Sequence, residues 1–208
     1  MKEKLLETAT CHFSRLGFEG AATRAIAADA NTAMSSITYH FGGKEGLYIA
    51  CARHIAEHIS ARFDPILDSI GDPARQSRDQ AVKALHALLE GFARIMLDPQ
   101  SERWSGFIVR EQQAPTKAFD ELYSGMMNRV IETVVSLIRC ARSDLSEPQA
   151  RACAVALWGQ AMTLRITRAS VCRVMGVETL DTATARILID QFHANTELVL
   201  TADMESSE

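Results

Sequence analysis

Long hydrophobic runs are missing from this 208-residue chain. No apolar stretch approaches the ~18–20 residues needed to span a bilayer, and the N-terminus carries acidic residues and helical periodicity in place of a signal-peptide core. The expected location is therefore the cytoplasm, with no membrane partner. An excess of positive charge is also missing: 22 Lys and Arg stand against 26 Asp and Glu, a net charge of −4. That balance argues against bulk, indiscriminate affinity for nucleic acid, and even residues 1–60 hold six charges of each sign. Cysteine is sparse and unpatterned. Cys11, Cys51, Cys140, Cys153 and Cys172 are an odd number without a C-x-x-C pair, which excludes a disulfide framework and suits reduced thiols packed as small apolar residues. Catalytic signatures are absent as well. There is no G-x-S-x-G elbow, no phosphate-binding Gly-rich loop and no recognisable Ser/His/Asp set, and the adjacent Asp120 and Glu121 point to different helix faces. No enzyme, no catalytic residue and no cofactor is expected. Alternating strands of useful length are lacking too, and the five prolines fall at or near breaks between helical segments, so the fold class is all-α.

What the chain does have is a pair of short helices at its start. Thr23 is a plausible N-cap for a helix that sets Ile26, Ala27 and Ala30 on one face. Asn31 is suited to a sharp left-handed turn, and a second helix follows from about Met34 to Phe41. Ile37 and Phe41 lie four apart and anchor inward, leaving Ser35, Ser36, Thr38, Tyr39 and His40 outward or sideways, where their hydrogen-bonding groups have the reach for base edges and phosphates. Gly42 and Gly43 end that helix. Lys44 opens the next, adding its ammonium to a positive helix end that attracts phosphate. The pattern is a helix-turn-helix; the bland reading is a compact three-helix subdomain with a polar surface.

Residues 1 to about 60 resemble the N-terminal domain of TetR-type transcriptional regulators. The likeness rests on K-E-K-L-L-E-T-A-T-C-H-F-S-R-L-G-F, on the T-x-x-x-I-A-x-x-A core, and on the specific Y-H-F-x-x-K-E-x-L-Y run from Tyr39 to Tyr48. The resemblance implies a homodimer whose recognition helices enter successive major grooves of a palindromic double-stranded operator, usually as a repressor released by a small-molecule effector. It implies DNA contacts at Thr23, Arg24, Ser35, Ser36, Thr38, Tyr39, His40 and Lys44. Ala33 stands where a capping Ser or Thr is frequent, Asn31 replaces a common Gly and Thr38 a frequent Tyr. The segment R-E-Q-Q-A-P-T-K-A-F from Arg110 to Phe119 is similar to a motif of the CecR-like subgroup, which points to control of membrane-transport or drug-export genes.

Downstream, a linker helix is expected from Lys44 to about Arg62, with breaks at Asp64-Pro65 and Gly71-Asp72-Pro73. A long helix follows toward Leu97. A shorter helix holds Trp104 to Gln113. Pro115 separates it from an amphipathic segment over residues 116–142, and a last pair spans Ser146 to Val174 and Asp181 to Leu200. The implied domains are a DNA-binding part at residues 1–46 and a larger effector-binding and dimerisation part of about nine helices at 47–208.

Walls for an apolar cavity are sought in Phe92, Met96, Trp104, Phe107, Tyr123, Met126, Met127 and Met162, with Arg110, Glu111 and Arg165 as polar contacts. A buried charge among them needs a partner or a charged ligand. The family likeness assigns the dimer interface to the last two helices, where Val155, Trp158, Gly159 and Met162 share one face and Leu188, Phe192 and Val199 another. Two alternatives stand beside the operator-binding reading. One is an all-α interaction module that binds no DNA. The other is a metal-responsive regulator using Cys51, His54 and His58, which fall at i, i+3 and i+7 of the linker helix.

Overall fold

The computed structural model describes residues 2–201, with the side chains of Gly125 and Met126 left outside the description. Among the described residues there are eleven α-helices and no strand. In order they are α1 Lys2–Gly20, α2 Thr23–Asp29, α3 Met34–Phe41, α4 Lys44–Ile70, α5 Arg78–Leu97, α6 Glu102–Gln113, α7 Lys117–Leu122, α8 Asn128–Ala141, α9 Glu147–Ile166, α10 Arg168–Met175 and α11 Thr182–Thr201. Single 3-10 turns at Pro73–Arg75 and Pro99–Ser101 and a π turn at Tyr123–Met127 fill three of the connections. No described helix is long and apolar enough to cross a membrane.

Packing separates the chain into two compact units. The first joins the described residues up to Arg62 with Pro99–Arg129, and the second joins Phe63–Asp98 with the described residues from Val130 onward. Helices α6 and α7 therefore belong to the same unit as the N-terminal helices and the first part of α4.

In the first unit the core is built by helical spacing: Leu5, Ala9 and Phe13 of α1, Ile26 and Ala27 of α2, Ile37 of α3, Leu47, Tyr48 and Ile55 of α4, and Phe107 of α6 are all buried. Helix α1 is interrupted at Gly17, whose φ of 72° is a left-handed value that an L side chain strains to adopt. In the second unit Leu85, Leu88 and Leu89 of α5, Val134, Leu137 and Ile138 of α8, and Leu157, Ala161 and Leu164 of α9 form the core. Helix α5 starts with a reciprocal capping box, in which the Gln80 amide donates to Ser77 Oγ at 3.3 Å and the Ser77 amide donates to Gln80 Oε1 at 2.8 Å.

Three sequence expectations are corrected. Pro65 does not break the linker helix, which runs on to Ile70 before Gly71 turns at a φ of 67°. Interior proline costs about 3 kcal/mol, but Phe63, Leu67 and Ile70 are all buried around it, and each contributes roughly 1.5–3 kcal/mol. Burial wins. The expected Ser146–Val174 helix is two helices divided at Thr167, whose φ and ψ of −114° and 29° leave the helical region. Its hydroxyl donates to the Thr163 carbonyl at 3.0 Å, the local side-chain bond by which Thr competes with the helical ladder. The 116–142 segment is likewise not one helix, because the π turn at Tyr123–Met127 changes the helical register between α7 and α8.

Candidate nucleic-acid interface

The helix-turn-helix is held from inside by Ile26, Ala27, Ala30 and Ile37, each buried, so the side chains between them have to face out. The turn is made as expected. Asn31 takes a φ of 55°, its amide donates to the Ala28 carbonyl at 3.0 Å, and that of Thr32 donates to Ala27 at 2.9 Å. Thr23 is not the cap of α2: it is the first helical residue, Ala22 occupies the cap, and no side chain bonds there. The half-buried Thr23 hydroxyl is consequently not used by the helix end. Helix α3 also begins without a side-chain cap, at Ala33, which leaves amides of its first turn open to an outside acceptor.

Along α3, Ser35, Thr38, Tyr39 and His40 are exposed and Ser36 is half-buried. Tyr39 is 85% exposed, and its ring meets that of His40 edge-on at 4.9 Å. Arg24 of α2 is exposed. Met34, the first residue of α3, is also open at 51%; sequence reasoning passed over it because an apolar side chain reads as core. Gly42 and Gly43 follow with φ of 74° and 122°. Lys44 does not extend freely. Its ammonium donates to the Glu19 carbonyl at 3.2 Å and lies 4.8 Å from the centre of the Phe18 ring, so one donor is engaged and two remain.

The residues expected to bind a ligand divide between the units. In the first unit Phe107 is fully buried and stacks on Tyr48 at 4.4 Å. Arg110 donates to the Arg15 carbonyl at 3.3 Å, and its guanidinium covers the Cα of Gly17. Glu111 is only 2% exposed yet fully engaged: Tyr48 Oη donates to Oε1 at 2.7 Å, and the Thr116 amide and hydroxyl both donate to Oε2 at 3.0 Å. Burial, then the Glu111 bond, pushes the Tyr48 phenol above its ordinary range. These contacts give Phe107, Arg110 and Glu111 partners inside the unit. Tyr123 is 38% exposed and stacks with Phe119 at 5.7 Å, Met127 is half-buried, and the Met126 side chain lies outside the described residues. In the second unit Phe92 stacks on Trp158 at 4.0 Å, Met96 is buried, Met162 is half-buried, and Arg165 donates to the Asp98 carbonyl at 2.5 Å.

Among the described residues the first unit has several grooves, one of about 430 Å³ running from His40 and Phe41 past Ile49 and Arg53 to His54 and Glu57. Another of about 400 Å³ is lined by Phe18, Glu19, Glu45, Tyr48, Ile49, Thr116 and Lys117. A smaller one of about 190 Å³ holds Trp104 together with His54, His58, Glu7 and Arg103. The proposed metal row is split by it, because Cys51 has no solvent access and its thiol faces the Leu6 carbonyl at 3.8 Å. Burial pushes that thiol up to about 12. Burial, then the neighbouring His58, lowers the His54 imidazole. Among the described residues no group of three or more His, Cys, Asp and Glu is placed to hold a metal ion.

The residues expected at a dimer interface differ in exposure. On α9, Val155 is 72% exposed, and the space a Cβ would take at Gly159 is empty, but Trp158 is turned inward onto Phe92. On α11, Phe192 is buried and Leu188 and Val199 are half-buried, because Ile189, Phe192, Thr196 and Leu200 form the inward line. The outward apolar residues there are Ile187 and Leu198, at 60% and 66%.

A family model described as bacterial regulatory proteins, tetR family, matches residues 5–51, and one for the C-terminal domain of the HTH-type transcriptional dual regulator CecR matches residues 81–202. The CecR protein of Shigella flexneri is 25% identical over 203 residues, covering 96% of this chain and 91% of that protein. Among solved structures, a transcriptional regulator from Pseudomonas aeruginosa PAO1 superposes with a TM-score of 0.68 at 18% identity, over 96% of this chain and 89% of the other. AibR, crystallised with isovaleryl coenzyme A and operator DNA, superposes with a TM-score of 0.66 at 16% identity, over 93% and 96% of the two chains. At these identities the structural likeness concerns the fold.

Proposed function

This chain belongs to the TetR family of bacterial regulatory proteins, with a CecR-type C-terminal domain, and on that premise we propose that it is a homodimeric, cytoplasmic repressor whose α3 reads an operator in the major groove. Residues 1–46 act as the reading part and 47–208 as the effector-binding and dimerising part. The observation that carries the reading is the surface of α3: its apolar anchor Ile37 is sealed inside while Tyr39 is held out at 85% exposure, flanked by exposed Thr38 and His40.

Ser35, Ser36, Thr38, Tyr39 and His40 supply hydrogen bonds to base edges and phosphates, and Met34 an apolar contact for a thymine methyl group. Thr23 and Arg24 take the phosphate backbone at the start of α2. Lys44 adds its two remaining donors from the start of α4. The recognition helices of two protomers sit about one duplex turn apart, ~34 Å, when DNA is bound. An effector that binds better to a form with another spacing releases the operator; one bound equally to both forms does nothing. AibR, which has the same fold, was crystallised with both an acyl coenzyme A and operator DNA, which supports an effector-linked reading here without naming this chain's effector. The CecR likeness directs the search for targets toward transport and drug-export genes.

The test is selection of genomic fragments on the purified protein at physiological salt, followed by mobility shift with Tyr39→Ala. A palindromic site that the wild type binds and Tyr39→Ala binds at least about tenfold more weakly, with unchanged thermal stability, is the expected result. Absence of any enriched site leaves the interaction-module reading in its place.

A further inference from the structure

We propose that Glu111 is a positioning residue for operator binding, a buried latch that fixes the start of α4, and through it the recognition helix α3, against the α6–α7 corner. The proposal rests on the operator-binding reading above.

The chemistry of the contact is specific to a carboxylate. Glu111 receives three donors at once, the Tyr48 hydroxyl on one oxygen and the amide and hydroxyl of Thr116 on the other. An ionised carboxylate accepts on both oxygens and donates nothing, whereas a glutamine accepts on one only: with its oxygen toward Thr116, its NH2 meets the Tyr48 hydroxyl, which has to turn from donor to acceptor. At 2% exposure no water replaces a lost partner, and an unpaired buried acceptor or donor carries a full desolvation penalty.

The three donors come from two segments, and both bear on the reading head. Tyr48 lies one turn inside α4, five residues after Gly43, so its hydroxyl is a tether on the helix that follows α3 directly. Its ring is clasped by Phe13 of α1 at 4.9 Å, Phe18 at 5.1 Å and Phe107 of α6 at 4.4 Å. Thr116 caps α7, donating to Glu111 while its own hydroxyl oxygen accepts from the Ala118 amide at 3.1 Å. The neighbouring residues of α6 bind the other side of the same head: Arg110 holds the Arg15 carbonyl, and Gly106 lets α6 approach Ser14 so closely that a Cβ there would overlap its carbonyl oxygen. A shift of the α6–α7 corner therefore cannot leave α1 and α4 where they are. Glu111 is the point at which the hydrogen bonds meet.

The experiment compares wild type, Glu111→Gln, Tyr48→Phe and the double variant on the selected operator, at a temperature where circular dichroism shows each fully folded. Tyr48→Phe keeps the ring contacts and removes only the tether, so it remains informative if Glu111→Gln fails to fold. The expected result is about a tenfold loss of operator affinity in each single variant, with the double variant losing much less than the product of the two. Leu157→Ala, a core truncation in the other unit, serves as the stability control: it lowers the melting temperature and leaves the affinity of the folded protein unchanged. Folded Glu111→Gln or Tyr48→Phe protein that binds like wild type overturns the latch, since a structural role alone moves stability and not affinity. If the wild type itself selects no operator, the functional reading has failed and the latch falls with it; if the wild type binds and the variants match it, only the latch is wrong.

Discussion

Cys51 shows how little a residue's type says about its use until its surroundings are known. The thiol is without solvent access, and burial raises it from an ordinary 9.0 to about 12. The fold accommodates the neutral form. The stabilisation that follows is complete below pH 9 and is lost as the pH climbs through about 12, because the unfolded chain gives up the proton first. At pH 8 a thiol reagent should therefore label the four half-buried cysteines first and Cys51 only on unfolding. Mass-spectrometric mapping of the labelled sites checks this, and Cys51 reacting at the rate of Cys153 in folded protein would contradict it. Glu111 teaches the same lesson in reverse. A charge on an amphipathic helix reads as solvent or ligand, and what distinguishes it here is three donors brought from positions 48 and 116.

Elements whose signals are local came through the sequence reading well. Helix α3 has the expected bounds, Met34–Phe41, because Asn31 tolerates a left-handed turn and the paired glycines stop the helix. Pro73 suits a first helical turn, yet it lies in a separate 3-10 turn and helix α5 begins at Arg78, where Ser77 and Gln80 cap each other; Ser77→Ala should lower the unfolding free energy by about 1 kcal/mol. A urea midpoint that does not move would show that the cap is not used in solution. Elements whose fate depends on distant residues did not come through. Pro65 reads as a break and is carried inside α4 because Phe63, Leu67 and Ile70 are buried around it. Thr167 reads as helix and ends one, since its hydroxyl bonds back to Thr163.

For the whole molecule, the feature with the largest consequence is the outward face of the last helices. Val155 on α9 and Ile187 and Leu198 on α11 are exposed apolar residues of the second unit, and the proposed dimer would cover them. Ile187→Glu places a charge on that face without touching the protomer core. It should shift the protein to monomer in sedimentation equilibrium at micromolar concentration and weaken operator binding, because two linked half-site contacts become one. An unchanged dimer would move the interface elsewhere. The net charge of −4 fits the same picture, in which affinity comes from a few placed groups on two heads and not from a basic surface.

The order of residues by itself determined the all-α class, the helix-turn-helix and the outward set on α3, since period, turn chemistry and capping act within a few positions of one another. Tertiary structure alone decided which face of α11 is open, that the half-buried Trp158 stacks on Phe92, and that Glu111 joins α4 to α7. The Trp158 and Glu111 contacts depend on groups 66 and 63 positions away and the open face of α11 on the packing of neighbouring helices, and a helical stripe fixes which residues share a face without fixing what that face will meet.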